Sequence, residues 1–483
     1  MDNATLYLGP PGTGKTTTLI NAVEAGLKEG LTPERIGFMS FTKKAVEEAA
    51  SRTMDKFDLS RRQLQFYKTT HSMAFFQLGL STHEVMQRNH YRDLGKQLGV
   101  PITGIQRQDL ATFEMNLGDQ IIFIESLSRL KMQDIRTTWE DQQSDVTWLE
   151  LNFVVDGLRQ YKKANLLVDY TDMLVQFYDQ GMPPSLDLLI IDEAQDLCLL
   201  QWKILERLIS VTPKVIIAGD DDQAIFRWSG AAVEHFTALT KQVAATRVLN
   251  QSYRLPKSIK AQADQIITKV KGRHKKVFKP TKETGKVEVV RSIEDIDMAT
   301  GQWLILMRNN FQIKEVIDYL KLCGFVYKSV YGDVRDNPGV KASLAWESLR
   351  AGRPVTKDEV YFINKFMSRK MINNVENIDK RRLEKPWYDA LDLLPLDESE
   401  YYRACRRRNE SFITAPRIHV NTIHGSKGSE SENVVLSLDM SLRSYEGYIK
   451  NPDDEARVYY VGATRAKKNL FILQPKTANH YVL

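Results

Sequence analysis

Residues 9–16 read GPPGTGKT, a match to G-x-x-x-x-G-K-[ST]. Glycine at positions 9, 12 and 14 frees the backbone, so its N–H groups can wrap a phosphate. A helix starting there adds the positive end of its dipole. The expected nucleotide contacts are Gly9, Pro10, Pro11, Gly12, Thr13, Gly14, Lys15, Thr16 and Thr17. Lys15 is expected on the β- and γ-phosphates, and the Thr16 hydroxyl on Mg²⁺. At average residue frequencies the bare pattern arises by chance in roughly two of a hundred chains this long. A strand-like run before it and a helical one after it lower that figure. The motif points to NTP binding and leaves open what the energy is used for.

Residues 188–196, LLIIDEAQD, supply a second half. An apolar run ends in adjacent carboxylates, as a Walker B strand does. Asp192 is expected in the Mg²⁺ shell, with Glu193 orienting or deprotonating the attacking water. A plain acidic helix start gives the same letters, but pairing with the phosphate loop weighs against it. Residues 218–231, AGDDDQAIFRWSGA, mix two chemistries. Asp220, Asp221 and Asp222 are anionic groups that suit a magnesium or phosphate site. Phe226 and Trp228, beside Arg227, suit a nucleic-acid base.

Positioning these groups calls for strands whose ends converge. ATLYL, RIGFMSF, LDLLIIDE and KVIIAGD are short apolar runs ending in polar residues, with helical patterns between them. Buried parallel strands read this way. A second set follows: GKVEVVRS, QWLILMR, IHVNTIH, ENVVLSLD and NLFILQP. The predicted fold class is α/β, with two doubly wound parallel sheets. Charged, helical stretches interrupt each set, at about 75–163 and about 331–411, and read as insertions.

Composition bounds the rest. With 483 residues the chain exceeds one ordinary core. Hydrophobic content of 42% and charged content of 27% are those of a globular protein. No run of about 18 apolar residues predicts a transmembrane helix, and MDNATLYLGPPG lacks the form of a secretory signal. Three scattered cysteines, Cys198, Cys323 and Cys405, predict neither a disulfide framework nor a zinc cluster and fit a reducing cytoplasm. A net charge of +6 is compatible with a polyanionic partner. The basic run KVKGRHKKVFKPTK, 269–282, fits a solvated loop and phosphate contact equally well.

With these segments in hand, the chain resembles superfamily 1 DNA helicases of the UvrD/Rep/PcrA type. FTKKAVEEAASR (41–52) looks like the family's motif Ia and TTHSMA (69–74) like Ib. DYTDML (169–174) is similar to the D-F-x-D-L-L segment before the Walker B strand. NQSYRLP (250–256), TIHGSKGSE (422–430) and DDEARVYYVGATRAKKNL (453–470) resemble motifs IV, V and VI, in the family's order. The resemblance implies two RecA-like motor domains, with ATP and Mg²⁺ in the cleft between them and single-stranded DNA across their tops. It implies domain 1A at 1–74 and 164–246, insertion 1B at 75–163, domain 2A at 247–330 and 412–483, and a reduced insertion 2B at 331–411. Arg254 and Arg465 become the arginines that reach the γ-phosphate from the second domain, as an always-charged guanidinium should. They arrive on closure of the cleft. Tyr253 stacks on the adenine, Glu430 meets the ribose, and Asp220 and Gln223 face the nucleotide, with Gln223 sensing the γ-phosphate. Phe41, Thr42, His71, Phe226, Trp228 and His424 become the DNA contacts. The implied activity is ATP-driven 3′→5′ translocation on single-stranded DNA with duplex unwinding, acting at single-strand/double-strand junctions in the cytoplasm of a bacterium or phage-infected cell. A loading partner is left unnamed.

Departures from the pattern accompany these matches. Gly9 leaves no room for the family's upstream glutamine segment, which predicts relaxed base discrimination. The insertion before motif V, about 80 residues, is shorter than in larger members, and the chain ends soon after motif VI, which reads as a compact helicase of phage or accessory bacterial type. Ser229 stands where an arginine commonly follows the tryptophan. The competing readings are a translocase that strips proteins but unwinds weakly, and a DNA-independent P-loop kinase or GTPase. A GTPase should carry N-K-x-D, and none is found.

Overall fold

The computed structural model describes residues 1–104, 115–142, 144–369 and 383–483. Parts of both expected insertions, 105–114, 143 and 370–382, lie outside the described residues. By internal packing the chain divides into two units. The first comprises Met1–Lys286 with Glu446–Thr464 and Leu483, and the second Val287–Tyr445 with Arg465–Val482.

In the first unit the apolar runs become β1 (Ala4–Leu8), β2 (Ile36–Ser40), β4 (Leu188–Asp192) and β5 (Lys214–Gly219). Two strands were not apparent in the sequence, β3 (Tyr67–Lys68) and β6 (Ala245–Val248). β3 has two residues and β6 is largely exposed, so neither carries an apolar signature. The order is β3-β2-β4-β5-β1-β6, parallel at every pairing. Every residue of β2 and β4 is buried, because both faces of the sheet are covered. Alternation along β4 divides its side chains between two cores. Leu189 and Ile191 pack with Leu6, Trp202 and Phe236, while Leu188 and Ile190 pack with Phe38, Leu19 and Val46.

The expected first insertion is helical, with Arg88–Leu98, Leu117–Leu130, Ile135–Gln142 and Trp148–Ala164. It builds its own core from Tyr91, Leu94, Ile121, Leu151 and Leu158. The helix Tyr170–Gln180 returns the chain to the sheet through Met173, Leu174 and Phe177. Asp169 caps that helix, its side chain accepting from Asp172 N at 2.7 Å. The same carboxylate meets Lys162 at 2.6 Å and Arg129 at 2.9 Å, and Arg129 also holds Glu125 and Asp172. This buried network fastens the insertion to the sheet-bearing body.

In the second unit seven strands are ordered β10-β9-β11-β8-β12-β13-β7. They are β7 (Lys286–Val290), β8 (Trp303–Met307), β9 (Tyr327–Ser329), β10 (Gly332–Asp333), β11 (Ile418–Thr422), β12 (Ser431–Ser437) and β13 (Ala466–Leu473). β10 runs antiparallel to β9, whereas β9, β11, β8, β12 and β13 are parallel neighbours. The expected second insertion contributes the helices Pro338–Arg350, Lys357–Lys365, Trp387–Ala390 and Leu396–Arg407. It has no separate core among the described residues. Trp346, Trp387, Tyr401 and Tyr402 join Ile305, Ile313 and Val420 in one cluster. Among the described residues no helix is long and apolar enough to cross a membrane.

The Asp169 network generates a pH-dependent expectation. Burial alone would raise this carboxyl, but Arg129 and Lys162 outweigh it and hold it at about 2. A depressed folded value stabilises above the ordinary carboxylate range and is lost as pH falls through about 2. Asp169→Asn keeps the cap and removes the charge, so it should cost about 2 kcal/mol at pH 7. Urea unfolding of both proteins between pH 7 and 2 should show the gap closing below about pH 4. A gap that stays constant would assign the loss to packing instead.

Candidate nucleotide and nucleic-acid sites

The order β4-β5-β1 sets three carboxyl ends side by side. Ligands of open parallel sheets bind at such ends. The loop after β1 carries Gly9 to Gly14, with Gly9, Pro10, Pro11 and Thr13 buried. Gly14, at φ 76°, is the N-cap of the helix Lys15–Lys28. That left-handed turn aims the first helical N–H groups back across the loop. Thr13 Oγ1 donates to Pro10 O at 2.7 Å and tightens it. Lys15 Nζ donates to Gly9 O at 3.0 Å and lies 3.7 Å from Glu193 Oε1. The loop lysine and the β4 carboxylates therefore share one site. Thr16 is half-buried on the first helical turn and Thr17 is exposed.

Asp192 closes β4 at 4% exposure, and its Oδ1 accepts from Glu193 N at 2.9 Å. Desolvation first, and the Glu193 charge second, push this carboxyl up to about 7. A buried anion in that state calls for a nearby cation. A carboxylate and a threonine hydroxyl are hard oxygen donors of the kind Mg²⁺ prefers. The residues present thus fit the metal expected at Thr16 and Asp192. Glu193 sits at φ 51°, a left-handed conformation uncommon for a non-glycine residue and associated with functional turns.

Residues 250–254 were expected to travel with the second domain, yet they are sewn to the phosphate loop. Ser252 Oγ donates to Pro11 O at 2.8 Å, and Tyr253 N donates to Gly12 O at 2.8 Å. A Cβ on Gly12 would stand 2.3 Å from Arg254 Cβ, so only glycine fits at position 12. Arg254 lies beside the loop, grouped with the first unit. By internal packing residues 247–286 group with the first unit, and the Ser252 hydrogen bond joins this segment to the phosphate loop. Tyr253 is 76% exposed, its ring edge 3.9 Å from where a Cβ on Gly14 would lie. It has a free face for a base.

The aspartates after β5 look, by composition, like a metal site, and their oxygens approach within 4.8 Å of one another. They are occupied from within the protein. Lys276 Nζ lies 2.8 Å from Asp220 and 3.0 Å from Asp222, and it also pairs with Asp221. Arg273 pairs with Asp222, and His274 N donates to Asp221 at 2.7 Å. Arg457, 2% exposed, donates from Nε to Asp221 O at 2.9 Å. Burial would lower the Lys276 ammonium, but the three carboxylates outweigh it and raise it. The basic run at 269–282 thus spends the Arg273 and Lys276 side chains on internal carboxylates, while the His274 ring meets Thr237 O at 2.9 Å. Sequence reasoning missed Lys276, Arg273 and Arg457 as partners of this turn, since nothing local pairs them with residues some 50 or more positions away. Gln223 donates from Nε2 to Asp220 Oδ2 at 2.8 Å, so the expected phosphate sensor is oriented by this cluster.

The expected DNA contacts gather only in part. Phe226 is 6% exposed and packs on Phe41 with ring centroids 5.4 Å apart. Phe41, half-buried, has the more accessible face. Trp228, also half-buried, neighbours Phe123 at 6.3 Å. Ser229, in place of the expected arginine, donates from Oγ to Phe226 O at 2.9 Å and closes the turn. Thr42 caps the helix Lys43–Phe57 by accepting from Ala45 N at 3.2 Å. His71 faces Tyr170 edge-on at 6.2 Å, and desolvation pushes its imidazole down to about 4, so it is neutral at pH 7.

The remaining expected residues belong to the second unit. Arg465 is 2% exposed and donates to Ser429 O at 3.3 Å. Glu430 forms an ion pair with Lys467. His424 is buried just after β11.

The aspartate cluster carries its own test. Lys276→Met leaves three buried carboxylates without their ammonium, and removing one partner of a buried ion pair costs about 3–5 kcal/mol. Urea unfolding monitored at pH 7 should register that loss. A loss under about 1 kcal/mol, the range of an exposed pair, would show the cluster is solvated.

Residues 1–244 match the UvrD/REP helicase N-terminal domain, and residues 368–477 match the UvrD-like helicase C-terminal domain. A probable DNA helicase II homolog of Mycoplasma genitalium is 23% identical, over 95% of this chain and 81% of that protein. One from Rickettsia felis is 26% identical, over 91% of this chain and 64% of that protein. The ATP-dependent DNA helicase Rep of Buchnera aphidicola is 22% identical, over 85% of this chain and 62% of that protein. The chain thus spans less than two thirds of the length of the latter two. With the amino-terminal match reaching residue 244 of 483, and both halves matched in order, the chain belongs to the UvrD/Rep family of DNA helicases.

Proposed function

We propose that the chain uses ATP hydrolysis to move 3′→5′ along single-stranded DNA and to unwind the duplex at single-strand/double-strand junctions. The observation that carries this reading is the convergence at one end of a parallel sheet. Lys15, the Asp192–Glu193 pair and the Asp220 turn meet there, and the turn runs directly into Phe226 and Trp228. Lys15 binds the phosphates, and Glu193 orients or deprotonates the attacking water. Thr16 and Asp192 hold Mg²⁺, which supplies charge neutralisation on the phosphates. Tyr253 stacks on the adenine, Arg254 lies at the phosphate loop, Glu430 is assigned to the ribose and Arg465 to the γ-phosphate. Phe41, Trp228 and His424 contact the strand, with stacking tolerant of any sequence. The site of action is the cytoplasm of a bacterium or of an infected cell.

A second reading, translocation that displaces proteins with weak unwinding, draws on two observations. Ser229 closes its own turn where the family commonly has an arginine. Among its described residues the second insertion shares one core with its sheet. Strand displacement measured beside protein displacement separates the two.

Steady-state ATPase measured with and without oligo(dT) tests the main reading. The rate should rise with DNA and vanish in Glu193→Gln, with nucleotide binding kept. A DNA-independent rate would overturn it. Arg465→Ala should lower kcat by about 10³-fold while shifting ATP affinity little, as expected of a group acting on transition-state charge. An effect confined to KM would move Arg465 to ground-state binding.

A further inference from the structure

We infer that Gln195 is a positioning residue that ties the water-activating Glu193 to the Asp220 turn, and through it conveys DNA occupancy to hydrolysis. The inference rests on the motor reading above. Gln195 is 0% exposed and sits in the short 3-10 turn Ala194–Asp196. Its Nε2 donates to Glu193 Oε2 at 2.6 Å, and its Oε1 accepts from Asp220 N at 2.9 Å. The orientation of the amide is unambiguous, because a backbone N–H can only donate and a carboxylate can only accept. Nε2 also reaches Asp196 Oδ2 at 3.3 Å, which is a second acceptor on the same side.

The surroundings are built for this contact. A Cβ on Gly219 would stand 2.6 Å from Gln195 Oε1, so the end of β5 can approach only as glycine. On the far side, Asp220 is held by Lys276 at 2.8 Å and accepts from Gln223 Nε2 at 2.8 Å. Three residues beyond Gln223 comes Phe226, packed on Phe41. One amide therefore separates the Glu193 carboxylate from the segment that carries the aromatic turn. Glu193 is in a left-handed conformation, where its carboxylate direction depends on what holds it. A shift of the 220–226 backbone moves Asp220 N, and the rigid amide transmits that shift to Glu193. The amide offers a donor and an acceptor at once. Glutamate would set two carboxylates together, and arginine or lysine could not accept from Asp220 N.

The test compares wild type and Gln195→Met, an isosteric change that removes both hydrogen bonds. The readout is the ratio of kcat with saturating oligo(dT) to kcat without it. That ratio should fall about tenfold, within the usual range of a coupling between sites. KM for ATP and the oligo(dT) affinity should remain within about twofold of wild type, as Gln195 is fully buried. An unchanged ratio, or an equal drop in both arms, would overturn the inference and leave a structural role. If Gln195→Met fails to fold, Gln195→Glu keeps the acceptor for Asp220 N and replaces the donor by a carboxylate. It should lose turnover with oligo(dT) affinity intact, and wild-type turnover in it would equally overturn the inference. Absence of DNA stimulation in the wild type itself would instead overturn the motor reading.

Discussion

Three consecutive aspartates, each at 1% exposure or less, cannot remain charged in a protein interior without cations of their own. Much of the candidate site follows from how that requirement is met. Lys276 enters the cluster, Arg273 and His274 N support it, and Arg457 binds the backbone of the same turn. The turn is thereby fixed, and Gln223 and Gln195 take their orientations from Asp220. Asp192, only a strand away, is left in the opposite condition. It is buried, raised by desolvation and suited to an external divalent ion. Two acidic sites at one end of the sheet thus differ in their cations: Lys276 and Arg273 enclose the aspartate turn, while Lys15, 3.7 Å from Glu193, stands at the other.

The strands read from sequence were mostly those buried on both faces, although half-exposed β7, marked by its valines, was read as well. β2, β4, β5, β8 and β12 are continuous apolar runs because helices or further chain cover both sides. β3, β6, β9 and β10 are short or half-exposed, and their letters carry no such pattern. Site residues were legible where a motif is local: Lys15, Thr16, Asp192 and Glu193 fall within two short segments. Lys276 was not, because its meaning depends on a turn 54 to 56 positions earlier in the chain. Phe226 was assigned by residue type to the DNA, but type does not reveal that Phe41 covers it. Gln195 was in view within DEAQD, yet its two hydrogen bonds join segments that the sequence lists 25 positions apart.

The two insertions illustrate a similar distinction. Both read as charged helical stretches. The first has enough apolar residues to close a core of its own, then needs an ionic network at Asp169 to fasten it down. The second places Trp346, Trp387 and Tyr401 into the core of its sheet and is an extension of that layer. Hydrophobic content alone does not separate these outcomes. What separates them is whether the apolar faces meet each other or the sheet.

The hydrogen bonds between residues 252–253 and the phosphate loop, with Arg254 closing over Gly12, have a consequence for inheritance. Segments that must fit one another tend to be exchanged together. A chimaera joined at 246 would pair a foreign 250–254 segment with this Gly12 and part the three aspartates from Lys276. A crossover after 286 would keep both sets of contacts intact, apart from the Arg457 return. Recombination among relatives should therefore leave its scars beyond the last strand-to-loop seam of the first unit, not at the point where the first sheet ends.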